Sequence, residues 1–165
     1  MKTALITGAN SGIGKQAAIQ LAQVGCRVFV GARNEQRGKA AVLEIKEKSE
    51  SSNVELLLID LSSKKSIANA AERLNDELSS LDILIHNAAA FDISQKEPKQ
   101  SVDGIETLWT TNHLGPILLT NALMDLLKQM KLKIENTELQ IITYLSTSRI
   151  EKRFVLLVVN FFLLH

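Results

Sequence analysis

The chain has 165 residues, 45% of them hydrophobic, and a formal net charge of +1. That length is one domain, able to remove about 70% of its unfolded surface from water, and the near-zero charge excludes a strong field for nucleic acid or acidic substrates. The lone Cys26 excludes an internal disulfide and fits a reducing, cytoplasmic setting; His86, His113 and His165 are scattered without metal-ligand spacing, so no metal is expected.

Short runs rich in Ile, Val and Leu at 3–7, 27–32, 54–60, 82–87 and 139–145 read as strands buried on both faces. No leader is expected ahead of the first. Helical patterns lie between them. Residues 12–24 carry Ile13, Ala17, Leu21 and Val24 at helical spacing; 35–49 follow Asn34 as N-cap and carry Ala40, Ala41, Leu43 and Ile45. Residues 64–79 follow Ser62 and Ser63 and carry Ile67, Ala70, Ala71 and Leu74. A long helix is expected over 102–131, with a stripe of Ile105, Leu108, Leu118, Ala122, Leu126 and Met130 and a kink at Pro116. Cys26 is expected as a small buried residue at the start of the second strand. Strands alternating with crossover helices imply an α/β, Rossmann-like, doubly wound parallel sheet of five strands in order 3-2-1-4-5. A ligand then belongs at the carboxyl ends, near the switch between strands 1 and 4.

The first strand runs straight into Gly8-Ala9-Asn10-Ser11-Gly12-Ile13-Gly14 and then a helix. Strand, Gly-x-x-x-Gly-x-Gly, helix is the order that a dinucleotide pyrophosphate needs. Gly8 provides a positive φ for the tight exit, Gly12 lets backbone N–H groups approach phosphate oxygens, and Gly14 lets the helix pack on the strand. The helix N-terminus offers free N–H groups and its positive dipole end to the anion. A glycine-rich turn without a ligand is the alternative.

With Thr7 the segment resembles the short-chain dehydrogenase/reductase family, whose signature is Thr-Gly-x-x-x-Gly-x-Gly, and Thr7–Ala17 look most like its retinol dehydrogenase and carbonyl reductase branches. The resemblance implies that Gly8, Asn10, Ser11, Gly12, Ile13 and Gly14 hold the cofactor. Where an NAD-binding fold places a carboxylate against the ribose 2′-OH, this chain has Ala32 followed by Arg33. A guanidinium binds a 2′-phosphate bidentately, so NADP is expected over NAD, with Lys15 adding weaker charge. By resemblance Asp60 and Leu61 meet the adenine. His86-Asn87-Ala88-Ala89-Ala90 resembles the family's Asn-Asn-Ala-Gly, so Asn87, Ala88 and Ala89 border the cofactor; His86 and Ala90 depart from it, and His86 is read as packing only. Asn112, in Asn112-His113-Leu114-Gly115, matches the family's Asn that holds a water in a proton relay, and Ser146 falls at the catalytic serine that hydrogen-bonds the substrate carbonyl, with Thr147 as the shifted alternative.

The resembled family moves a hydride between nicotinamide and a carbonyl or alcohol carbon, which implies a small-molecule substrate such as a retinoid, steroid or aliphatic aldehyde. A Tyr with a Lys four residues on, both after the serine, handles the proton. Tyr144 is the one tyrosine here, it precedes Ser146, and Ser148 stands four residues after it. The expectation is a cofactor-binding domain over 1–148 that lacks the family's last strands and has little turnover, or alternatively a non-catalytic NADP-binding or partner-interaction module. Pairing with a like or unlike chain through 102–131 is implied by the family. Residues 149–165 are unlike it and read as a substituted tail, from an alternative or mis-joined 3′ end. Its apolar run 154–164 is too short to span a bilayer; membrane-surface contact and pairing with the open edge of the fifth strand are the two alternatives for it.

Overall fold

A computed structural model describes residues 1–90 and 97–127, together with the backbone of 139–145 and 155–161. The elements are β1 (Thr3–Thr7), α1 (Gly12–Gln23), β2 (Arg27–Ala32), α2 (Glu35–Ser49), β3 (Val54–Leu58), α3 (Lys64–Glu77) and β4 (Ile83–His86). A helical segment follows as α4 (Thr107–Trp109), a π-helical stretch Thr110–Leu114, and α5 (Gly115–Ala122), then β5 (Leu139–Leu145) and β6 (Val155–Phe161).

β1 pairs in parallel with β2 and β4, and β2 with β3, which gives the expected order 3-2-1-4. Beyond β4 the arrangement departs from expectation. The place beside β4 goes to β6, antiparallel, with Ile85 opposite Val158. β5 pairs antiparallel with β6, Leu139 opposite Phe161, and lies outermost. The expected 3-2-1-4-5 order is therefore corrected after its fourth strand. Of the two alternatives for the tail, strand pairing with β5 is the one seen in the backbone.

Side-chain alternation along the strands makes two cores. Ile6, Val28, Val30 and Ile85 pack with Ala18, Ile19, Ala22, Ala41 and Ile45 of α1 and α2. Leu5, Phe29, Leu57 and Leu84 pack with Ile67, Ala71 and Leu74 of α3, Leu119 of α5 and Leu123 just past its end. The four parallel strands are thus covered on both faces, as parallel sheets require. Cys26 is buried.

Asn34 caps α2 as expected, its Oδ1 accepting from the Arg37 N–H at 2.8 Å, and Ser63 caps α3 by accepting from Ser66 N–H at 3.3 Å. Two expected stripes are displaced in part: Ala17 and Leu21 of α1 and Ala41 and Ile45 of α2 face the core as expected. On α1 the buried residues are Gly14, Ala18, Ile19 and Ala22, whereas Ile13 and Val24 are exposed. On α2, Gly38, Ala41, Ile45 and Ser49 are buried and Leu43 is exposed. Both helices approach the sheet along small residues, which leaves larger neighbours outside. The α3 stripe (Ile67, Ala70, Ala71, Leu74) is buried as expected.

The long helix begins at Thr107 rather than 102, because Glu106 caps it, accepting from Leu108 N–H at 3.0 Å and Trp109 N–H at 2.6 Å. Gly104 (φ 72) turns the chain before it. Ahead of Pro116, which has no N–H to give, the helix slips to π register, the Gly115 N–H reaching the Thr110 carbonyl five residues back. After the extra residue Leu119 and Leu123 are fully buried, Leu118 is partly buried against the same core and Ala122 is exposed, while Leu126 is buried as expected. Met130 and the linker 131–138 lie outside the described residues.

Candidate cofactor site

The carboxyl ends of β1 and β4 meet at the glycine turn. Gly8 has φ 67 and Gly12 has φ 57. A Cβ on Gly8 would lie 2.8 Å from Ala88 Cα, and one on Gly14 would strike the Asn87 amide, so both glycines are required by the neighbouring strand end as well as by the turn. Gly12 faces open space, so a Cβ there would meet nothing in the protein and stand where a ligand approaches.

Asn87 and Thr7 tie the two strand ends together. Asn87 Nδ2 donates to the carbonyls of Thr7 (3.0 Å) and Gly8 (3.2 Å). Thr7 Oγ1 accepts from Asn87 N–H (3.0 Å) and Ala88 N–H (3.1 Å), and donates to the Ile85 carbonyl at 3.4 Å. The turn is thereby fixed by five hydrogen bonds to the end of β4 and the two residues after it before any ligand arrives. Ser11 makes no capping hydrogen bond, and the first-turn N–H groups of Gly12, Ile13 and Gly14 have no partner within the helix. Asn10 is half-buried, while Ser11, Gly12 and Ile13 are exposed around that N-terminus. The exposure of Ile13 suits an apolar wall of the cleft.

Ala32 is buried at the end of β2, and Arg33 beside it is exposed. Lys15 is bound to Glu44 at 2.6 Å, so its charge is neutralised away from the turn. Glu44 also holds Lys48 (2.8 Å); the hydrogen bonds from Lys15 and Lys48 lower its carboxyl to a pKa of about 2. Asp60 Oδ1 accepts from the Ser62 N–H (2.9 Å) and hydroxyl (2.7 Å), which orients the carboxylate at the end of β3. Leu61 is buried, and its carbonyl sits where a Cβ on Gly115 would fall, so only glycine lets the π stretch and α5 seat against this loop.

Asn112 lies in the π stretch. Its Oδ1 accepts from Ala90 N–H (2.7 Å) and its Nδ2 donates to the Ala90 carbonyl (2.9 Å). The amide thus clamps the chain leaving β4, with Ala88 half-buried and Ala89 exposed along it. His86 is 1% exposed. Its Nε2 lies 2.8 Å from Thr120 Oγ1, and burial pushes its pKa down to about 4. Neither the link to Thr120 nor the clamp by Asn112 follows from the sequence; a His between an apolar strand and Asn87 was the only visible signal of the first. The Ser146 and Thr147 expectations lie outside the described residues. Among the described residues no three His, Cys, Asp or Glu side chains gather as a metal site, and no helix is long and apolar enough to cross a membrane.

This arrangement is that of a Rossmann-like α/β domain whose glycine turn is locked to the end of the fourth strand. Residues 2–151 match the short chain dehydrogenase family, and the chain belongs to it. It is 41% identical over 128 residues to retinol dehydrogenase 12 of Mus musculus, covering 78% of this chain and 40% of that protein. It is 38% identical over 127 residues to dehydrogenase/reductase SDR family member 13 of Homo sapiens, covering 77% and 32%. The chain therefore spans two-fifths or less of these two curated relatives. Among solved structures it is similar to the Pseudomonas aeruginosa RhlG/NADP active-site complex (TM-score 0.66, 28% identity, 78% of this chain and 48% of that one). It is also similar to a short chain dehydrogenase of Escherichia coli CFT073 complexed with NADPH (TM-score 0.65, 27% identity, 78% and 54%).

Proposed function

We propose that this chain binds NADP(H) as the cofactor half of an oxidoreductase acting on carbonyls or alcohols of the retinoid, steroid or aliphatic aldehyde kind. The observation that carries the reading is the glycine turn: two positive-φ glycines and an uncapped helix N-terminus, held rigid by Asn87 and Thr7. Those residues fit a pyrophosphate. Arg33, exposed after a buried Ala32, fits a 2′-phosphate, and no carboxylate stands at position 32 to repel it. Two solved structures of similar fold are complexes with NADP or NADPH.

In this reading the nicotinamide, when bound, supplies hydride transfer to or from a carbonyl carbon. The first turn of α1 holds the pyrophosphate, Arg33 the 2′-phosphate, Asp60 and Leu61 the adenine, and Asn87 with Ala88 and Ala89 the backbone wall beside the ring. Asn112 fixes Ala90 at the end of that wall, and the resemblance assigns to Ser146 the hydrogen bond to the substrate oxygen. The 165 residues hold no Tyr-x-x-x-Lys. General acid–base help is worth roughly 10²–10⁴ in rate, so this chain by itself turns over slowly or not at all.

Titration with NADPH, with NADH as control, read by thermal shift and nicotinamide fluorescence, tests the reading. At a hundred times its Kd the cofactor should stabilise the fold by about 2.7 kcal/mol. Arg33→Ala should remove the preference for NADPH over NADH. Binding of neither would overturn the reading; turnover of an aldehyde panel at a full enzyme's rate would overturn the inactivity.

One surface favours the second reading, an interaction module. Trp109, His113 and Ile117 recur every four residues on the exposed side of the long helix, with the Trp109 and His113 rings 4.7 Å apart. Such an apolar stripe suits pairing with a like or unlike chain. Trp109→Lys should convert a dimer to monomer in size-exclusion chromatography, and a wild-type monomer with no partner ends this reading.

A further inference from the structure

We propose that His86 is a positioning residue: as its Nε2–H tautomer it holds, through Thr120, the helix that carries Asn112 in place beside the cofactor cleft. The tautomer follows from counting protons. Thr120 Oγ1 lies 2.9 Å from the Pro116 carbonyl, which can only accept, so the single hydroxyl proton goes there. The same oxygen lies 2.8 Å from His86 Nε2 and has no second proton, so the ring nitrogen donates. A neutral imidazole has one N–H, which leaves Nδ1 bare, and no described residue hydrogen-bonds to it. The ring is 1% exposed, so water does not substitute freely.

The link joins the two halves of the cleft. On one side His86 precedes Asn87, which holds the glycine turn through Thr7 and Gly8. On the other, Pro116 lies four residues past Asn112, just after the π stretch, and Asn112 holds Ala90. A helix with a π slip has a choice of register, and a directed bond from His86 to Thr120 and on to Pro116 favours one. A leucine fills the same space without direction.

The tautomer and register arms of the test do not depend on the proposed function; the affinity arm rests on it. In the full chain with 15N-labelled histidine, the His86 ring nitrogens should show one tautomer, protonated at Nε2. Hydrogen exchange of the α5 amides should quicken about tenfold in His86→Leu, the scale of one lost buried hydrogen bond, and stay near wild type in His86→Gln, whose amide can still donate. Thr120→Val should match His86→Leu and Thr120→Ser the wild type, which keeps the test open where His86→Leu does not fold. NADPH affinity should follow the same order. An Nδ1–H ring, a mixed tautomer, or unchanged exchange in both His86→Leu and Thr120→Val overturns the proposal. Failure of the unsubstituted chain to bind NADPH counts against the proposed function alone, and the tautomer and exchange results still decide this one.

Discussion

The two edges of the parallel sheet handle polarity in opposite ways. At the amino edge charges are paired among themselves. Arg27 at the start of β2 bonds Glu55 (2.7 Å) and Glu77, and Arg73 reaches the same two carboxylates at 3.5 Å each. Both guanidiniums lie near the Phe29 ring, Arg27 at 4.8 Å. Asp82 closes the same edge by accepting from Thr3 N–H at 2.6 Å. At the carboxyl edge the side chains of Thr7, Asn87 and Asn112 bond backbone instead, and the first turn of α1 keeps its N–H groups open. One edge is closed electrostatically; the other is rigid yet has donors left to give. The contrast teaches that the rigidity of the glycine turn comes from neutral side chains gripping the main chain, so that the groups holding it carry no charge to compete with an incoming anion.

Perturbing each edge should break the comparison unequally. The largest effect is expected from Gly8→Ala, which forces a side chain into φ 67 and against Ala88 Cα at 2.8 Å. Strain and overpacking together should cost about 3 kcal/mol or more, read as a lower urea midpoint. A wild-type midpoint would mean that the turn is not locked as described.

Next comes His86, whose pKa falls from an ordinary 6.5 to about 4 through burial. The unfolded chain binds the proton first, so stability from this residue is full above pH 6.5 and is lost as pH falls toward 4. The whole change is on the order of 3 kcal/mol. Urea unfolding between pH 7.5 and 4.5 should show that slope in the wild type and lose it in His86→Gln. An equal slope in both would place the titration elsewhere.

At the amino edge, Arg27→Met should cost only about 1 kcal/mol, because the network is partly exposed. A larger loss would make that edge the stronger of the two. The smallest effect belongs to Glu44. Its carboxyl, lowered to about 2 by Lys15 and then Lys48, gives stability above its ordinary 4.5 that fades as pH drops toward 2. Glu44→Gln should barely move the midpoint at pH 7, and it frees Lys15. Tighter NADPH binding by that variant, vanishing at high salt, would show that the ion pair had been holding charge away from the turn.

The sequence by itself determined the parallel core, because apolar runs and caps are local. Asn34 caps where it was read, α3 starts right after Ser62 and Ser63 as expected, the α3 stripe is buried as spaced, and the order 3-2-1-4 follows from strands joined by crossover helices. The glycine turn was equally legible, since positive φ and close approach leave glycine as the residue that fits. Tertiary structure alone decided which helix faces are buried, because α1 and α2 pack along Gly14, Ala18, Gly38 and Ala41, where closeness of approach outweighs side-chain size. It also decided the π slip before Pro116, the clamp of Asn112 on Ala90, the capture of Lys15 by Glu44 and the place of β6 beside β4. Apart from the π slip, which Pro116 sets locally, each of these is a contact between residues far apart along the chain, set by how the layers meet and carried by no local pattern.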